Sequence, residues 1–176
     1  MDHNWDTDHF NNKDLTQKVL KIHICAYIND ENSGDDDGNP PTNHWAVFLQ
    51  LPGDSSVRLD MVPGYGSDGR TGKIDIASKE YEYTDKAIWM VTFAIAEGVT
   101  VRTIVRMINQ NQRQKYTFTE EWEGCRYWIY VILADLEAAG IIEEHSSASA
   151  WGALSNYYIN PTGFQPREVK QGTFRP

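Results

Sequence analysis

Apolar residues stand at every second position in three consecutive segments of the chain. The first segment runs from Val19 to Ile28, and the other two cover residues 44–51 and 56–62. A period of two is typical of β-strands. Residues 52–55 (Pro-Gly-Asp-Ser) are short enough to join the last two segments as an antiparallel hairpin. The core face of this hairpin is then predicted to consist of Trp45, Val47, Leu49, Leu51, Val57, Leu59 and Met61.

Further strands and two helices follow this hairpin. Residues 73–76 are predicted to continue the meander after a glycine-rich stretch, and the apolar run 87–96 favours another strand. Thr100 is a plausible N-cap for a short amphipathic helix over 101–108. The longest helical pattern begins at Cys125 and runs to Ala139. The predicted fold class is therefore α+β, an antiparallel sheet packed against the helix that begins at Cys125 and one or two further helices.

The length of 176 residues favours a single domain. The first nineteen residues are polar, so residues 1–19 are predicted to be a flexible arm. The domain itself is expected over 20–160, including a short element near 151–158, and 161–176 is expected to be an extended tail.

The charge balance limits the partners. Sixteen Lys and Arg against 25 Asp and Glu give a net charge of −9, which disfavours nucleic acids and anionic membranes. No stretch reaches the roughly 18 apolar residues of a membrane span, and the N-terminus lacks the pattern of a secretory signal. We therefore expect a cytoplasmic protein, monomeric or homodimeric, that binds a small molecule or a peptide.

Cys125 and His44 are the residues best suited to covalent chemistry. Cys125 opens the long helix, and the free N–H groups of a first helical turn favour a thiolate. His44 opens a strand and is a candidate base for that thiol. The only other cysteine, Cys25, is a hundred positions away, so neither a disulfide scaffold nor a paired zinc motif is expected.

These two motifs resemble those of the circularly permuted NlpC/P60 papain-like superfamily, which includes lecithin:retinol acyltransferase. The resemblance covers about residues 20–140 and rests on His44-Trp45 at the start of an apolar strand and on Gly124-Cys125-Arg126 at the start of a helix. It implies that Cys125 is the nucleophile and His44 the base of a hydrolase or acyltransferase. Such enzymes act on amides, esters or thioesters through a thioester intermediate.

The second histidine of those acyltransferases has no counterpart here. Asp60 is the candidate third residue, because the hairpin register places it on the same face as His44, where it can accept a hydrogen bond from the imidazole. Four aromatic residues near the pair in sequence are candidates for the substrate pocket: Trp45, Trp122, Tyr127 and Trp128.

Other interpretations stay open. Cys125 leads an apolar stripe and is equally suited to a structural role, and Glu120, Glu121 and Glu123 disfavour a thiolate beside it. The same fold would then serve as an inactive ligand-binding or scaffold protein, or as a tailoring protein that cyclises or isomerises its substrate. His23 and Cys25 form a competing pair, but neighbours two apart on one strand are poorly placed for proton transfer.

Two apparent binding motifs are discounted. Residues 64–69 fit the letters of a dinucleotide loop, but a strand rather than a helix is predicted to follow, so a hairpin loop is expected. The acidic run Asp35-Asp36-Asp37 lacks the spacing and flanking helices of an EF-hand. We therefore predict no metal and no cofactor.

Overall fold

The computed structural model describes residues 1–29 and 41–176, and the acidic run 35–37 lies outside these ranges. Within them the chain forms three α-helices, one 3-10 helix (Asn12–Thr16) and ten strands. The helices are α1 (Val101–Gln110), α2 (Cys125–Ala138) and α3 (Ser146–Leu154). The strands are β1 (Trp5–Asp6), β2 (Lys21–Tyr27), β3 (His44–Leu51), β4 (Ser55–Tyr65), β5 (Thr71–Lys79), β6 (Trp89–Ala94), β7 (Tyr116–Thr117), β8 (Asn156–Tyr158), β9 (Phe164–Pro166) and β10 (Thr173–Phe174).

One curled sheet dominates the fold. Its strand order is β10-β7-β5-β4-β3-β2-β6, all neighbours are antiparallel, and β1 adds to β5 in parallel. β8 and β9 form a separate two-stranded ribbon. The predicted α+β class with an antiparallel sheet is confirmed.

The hairpin between β3 and β4 has the predicted register. Val47 lies opposite Leu59 and Leu49 lies opposite Val57, so the apolar side chains of the two strands share one face. That face and α2 belong to one large buried core. α2 begins at Cys125, the residue at which the apolar helical pattern starts.

The opposite face of the sheet is more buried than alternation predicts. Cys25, Ala46 and Phe48 form a second buried cluster on this face. The connection between β5 and β6 covers it, with Tyr81 packed on Phe48 and Tyr83 packed on His23. β2 and β3 are therefore buried on both faces.

The smaller elements follow local signals in the sequence. Thr100 caps α1, and its hydroxyl and that of Thr103 each accept a hydrogen bond from the other residue's backbone N–H. The run predicted as a strand over 87–96 contains β6, and α3 with β8 covers the short element expected near 151–158. None of the described helices has the length and apolar character needed to cross a bilayer.

Both ends of the chain are docked, which corrects two predicted boundaries. Trp5 is buried, pairs with Ile74 across β1 and β5, and its indole N–H donates to Asn109 at 2.9 Å. The predicted flexible arm over 1–19 is thus part of the domain. The predicted tail over 161–176 also belongs to it, since β10 extends the main sheet and Val169 is buried.

Candidate active site

His44 lies at the open end of the sheet. It is the first residue of β3 and pairs with Tyr27, the last residue of β2, whose ring centroid is 4.9 Å from the imidazole centroid. Because side chains alternate along a strand, His44 belongs to the face of Ala46, while Trp45 points into the core beneath α2. His44 stands at the end of the strand and lines a cleft together with Cys125, the first residue of α2.

Asp60 orients the imidazole. Nε2 of His44 donates to Oδ2 of Asp60 at 2.8 Å, and the Asp60 side chain is only 5% exposed. A neutral imidazole carries one N–H and one basic nitrogen. Donation from Nε2 therefore makes Nδ1 the basic nitrogen, as a general base requires. The contact is the one expected from the hairpin register.

Cys125 is the first residue of α2 and is half-buried. Gly124 precedes it with a φ of 147°, a conformation that favours glycine. Burial is the main cause that raises the pKa of the Cys125 thiol to about 11; Asp60 and Glu123 contribute to the rise, and Arg126 opposes it. The resting side chain is therefore a neutral thiol, and it becomes a nucleophile only if a base takes its proton.

Cys125 and His44 line the same cleft. The cleft has a volume of about 520 Å³, and its apolar lining includes Met61, Val62, Pro63, Phe118 and Trp122. The loop that precedes α2 contributes Trp122 together with Glu121 and Glu123. A cleft of this size accommodates a small molecule or a short peptide segment.

Only one of the four predicted pocket aromatics reaches this cleft. Trp122 lines it, is 51% exposed and has a left-handed φ of 61°, with its indole directly over Gly69. Trp45 and Trp128 are fully buried in the core, because they occupy core-facing positions of β3 and α2. Tyr127 borders a separate groove beside Tyr130, Ser147, Ala148, Trp151 and Gln171. The pocket prediction is corrected for these three residues.

The competing pair is structural. Cys25 is fully buried, and burial raises the pKa of its thiol to about 12. Nδ1 of His23 is hydrogen-bonded to Thr92 at 2.8 Å, and its Nε2 is hydrogen-bonded to Gln50 at 3.0 Å. Burial lowers the pKa of His23. Residues 64–69 cover the end of β4 and the turn that leads into β5, so they belong to a hairpin, as predicted, rather than to a dinucleotide loop.

A buried charged cluster beside Cys125 was not foreseen from the sequence. Arg126 is 4% exposed and donates to Glu123 at 3.1 Å, and Arg167 pairs with the same carboxylate. The sequence does contain an indication of this cluster, because Arg126 occupies a position on the apolar helical stripe that includes Ile129 and Leu133. No group of three or more acidic, histidine or cysteine side chains in the described ranges is arranged to hold a metal ion.

A family model matches residues 22–175, nearly the whole chain. The chain belongs to the DUF7770 family. The description of this family is a domain of unknown function, so membership itself assigns no activity. No curated protein and no solved structure matches the chain. Any function of this DUF7770 member must therefore be argued from its cleft.

Proposed function

We propose that this DUF7770 member is a thiol-dependent hydrolase or acyltransferase that acts on an amide, ester or thioester. The observation that carries the proposal is the 2.8 Å contact between His44 and Asp60 in a cleft that Cys125 also lines. A buried carboxylate on Nε2 fixes the tautomer whose Nδ1 accepts a proton. The first turn of α2 supplies N–H groups for an anion at Cys125.

The chemistry proceeds in two steps. Nδ1 of His44 takes the thiol proton as the Cys125 sulfur attacks the substrate carbonyl, and the tetrahedral intermediate collapses to a thioester. The leaving amine, alcohol or thiol departs with the proton from the imidazolium. Water or an acceptor alcohol or amine then attacks the thioester, His44 again moves the proton, and the thiol is regenerated.

The raised pKa of Cys125 limits how the pair operates. A thiol of pKa about 11 does not form a resting ion pair with imidazole at neutral pH. The thiol proton must therefore move to the imidazole at the same time as the sulfur attacks the carbonyl. Alternatively, the bound substrate must exclude water and move the imidazole to a position where it can accept this proton. Neutralisation of Glu123 by Arg126 and Arg167 reduces the repulsion that a developing thiolate meets.

The net charge of the protein and the lining of the cleft favour a substrate that is dissolved in the cytoplasm. A net charge of −9 repels anionic membrane surfaces. The lining of the cleft contains both apolar side chains and carboxylates, which suits a small molecule or peptide with both apolar and polar parts. Monomer and homodimer are both compatible with this proposal.

The experiment is acylation of the whole protein by p-nitrophenyl acetate and by an acetyl thioester, read by intact and peptide mass spectrometry. We expect an acetyl adduct on Cys125, loss of turnover in Cys125→Ser and in His44→Ala, and a melting temperature of Cys125→Ser close to wild type. His23→Ala is the matched control, because His23 is bonded to Thr92 and Gln50 outside the cleft. Turnover that survives His44→Ala contradicts the proposal.

The raised pKa favours a second candidate, a ligand-binding protein without catalysis. In that case the cleft holds a small molecule, and the imidazole of His44 serves as a hydrogen-bond donor to Oδ2 of the buried Asp60 carboxylate. No adduct on Cys125, together with unchanged ligand binding in Cys125→Ser, is the result expected from this alternative.

A further inference from the structure

The turn that carries Cys125 is bonded to the far end of the chain. The hydroxyl of Tyr116, a fully buried residue of β7, donates to the carbonyl of Gly124 at 2.9 Å. The same hydroxyl accepts from the backbone N–H of Gly172 at 2.9 Å. One phenol thus connects the residue before the thiol to the segment that leads into β10.

A second connection runs through Arg126. Its guanidinium donates to the carbonyls of Arg167 at 3.1 Å and Glu168 at 2.7 Å, and to that of Leu154 at the end of α3 at 3.0 Å. Glu123 on the other side of the thiol accepts from Arg126 and from Arg167. Both neighbours of the Gly124-Cys125 pair are therefore tied to residues 167–172.

Close packing makes the connection stiff. A Cβ on Gly172 would lie 2.3 Å from the Thr117 carbonyl oxygen and 2.5 Å from the Tyr116 hydroxyl. A Cβ on Gly124 would lie 2.8 Å from the same hydroxyl. A buried charge or carbonyl that loses its hydrogen-bond partner is costly. The hydrogen bonds of Arg126 and Tyr116 therefore resist separation of residues 167–172 from the turn that carries Cys125.

We propose that residues 167–174, the C-terminal strap, set how deeply Cys125 lies in the wall of the cleft, with Tyr116 and Arg126 as positioning residues. The effect on turnover rests on the proposed function, but the effect on the burial of the thiol does not. Within the described residues, hydrogen bonds connect the strap to the turn around Cys125 through the Tyr116 hydroxyl and the charges around Arg126. Phe174 of the strap also packs against Tyr116 and against Tyr127 of α2.

The proposal predicts two effects of opposite sign. Burial is the main cause of the raised pKa of Cys125, so a loosened strap admits water, lowers that pKa and increases the thiolate fraction. Alkylation of Cys125 then becomes faster. Turnover becomes slower, because the sulfur no longer sits at a fixed position relative to the imidazole.

The experiment compares Tyr116→Phe and Gly172→Ala with Tyr127→Phe in the full chain. Tyr116→Phe removes only the hydroxyl that joins Gly124 to Gly172, and Gly172→Ala forces the strap away from Thr117. Tyr127→Phe is the matched loss of a hydroxyl on α2, and it keeps the ring that packs against Phe174 of the strap. Iodoacetamide labelling at pH 8 is followed by peptide mass spectrometry, which separates Cys125 from Cys25.

We expect both strap variants to label Cys125 about three- to tenfold faster than wild type, since a fall of one pKa unit raises the thiolate fraction about tenfold at a pH well below the pKa. Tyr127→Phe should label like wild type. Turnover in the acylation assay should fall in the two strap variants alone. Labelling within twofold of wild type in both variants overturns the proposal, and so does faster labelling with unchanged turnover.

Failure of the proposed function is distinguishable from failure of this inference. If the wild-type protein shows no Cys125-dependent turnover, the enzymatic proposal fails, and the labelling rates alone decide whether the strap sets the burial of the thiol. If turnover is present but labelling and turnover are insensitive to both variants, only the strap inference fails.

Discussion

Replacing Asp60 by Asn removes one charge from the site and preserves the size of the side chain. The carboxylate accepts from Nε2 of His44 at 2.8 Å in a nearly buried position. A hydrogen bond to a charged group contributes about 1.5–3 kcal/mol. If that energy supports the imidazolium formed during attack, its loss lowers kcat/KM by about 10- to 150-fold, at 1.36 kcal/mol per tenfold.

A change of tautomer adds to this loss. The Asn amide is able to donate to Nε2, which moves the imidazole proton to Nδ1 and removes the base. The charge of Asp60 also contributes to the raised pKa of Cys125, so its removal should lower that pKa and speed alkylation at pH 8. In Asp60→Asn, iodoacetamide should therefore label Cys125 faster than in wild type, and turnover of the substrate should be slower.

The assay is kcat/KM for the acetyl thioester between pH 6 and pH 9, with iodoacetamide labelling and thermal unfolding on the same samples. Asp75→Asn is the control, because Asp75 lies opposite Asp60 on β5 but pairs with Arg58 rather than with His44. The reasoning is refuted if Asp60→Asn retains kcat/KM within twofold of wild type while Asp75→Asn does the same.

Three further predictions follow from the burial of individual residues. Labelling of Cys125 should rise about tenfold per pH unit from pH 7 to pH 10, as expected for a thiol of pKa about 11, and a plateau below pH 8 would instead reveal a resting ion pair. Trp122→Ala should raise KM about five- to thirtyfold with little change in melting temperature, since loss of its half-exposed indole removes about 1–2 kcal/mol of apolar contact. Trp89→Ala, at 46% exposure outside the cleft, is the control, and equal KM values for the two variants would contradict a role of Trp122 in binding. Trp128→Ala should reduce the free energy of unfolding by about 3–5 kcal/mol in urea titration, because Trp128 is fully buried, and a change below about 1 kcal/mol would show that α2 is not packed as described.

The elements with strong periodicity were predictable. The shared faces of β3 and β4 followed from alternation and from the short turn at 52–55, and they placed Asp60 on the face of His44. The start of α2 at Cys125 followed from the apolar spacing of its residues. These features depend on local patterns, which a single sequence records directly.

Contacts between distant segments were not predictable. Trp45 and Trp128 are close to the catalytic candidates in sequence, but strand and helix geometry turns them into the core. Tyr116 and Arg167 bear on Cys125 only through tertiary contacts, which no local pattern encodes. The polar composition of residues 1–19 predicted a flexible arm, yet Trp5 and Val19 are buried, and Phe10 and Leu15 pack against the core.

The docking of β1 on β5 affects how the protein can be shortened. The family match begins at residue 22, whereas Asn4 accepts the backbone N–H of Ile74 through its carbonyl and Trp5 occupies a core position. A chain trimmed to the family boundary would leave the middle of β5 with unpaired amides and an uncovered apolar surface, a ready template for another strand. Such a fragment should aggregate more readily than the chain of 176 residues. A loss of activity on trimming would therefore reflect the lower solubility of the fragment rather than the loss of a catalytic group.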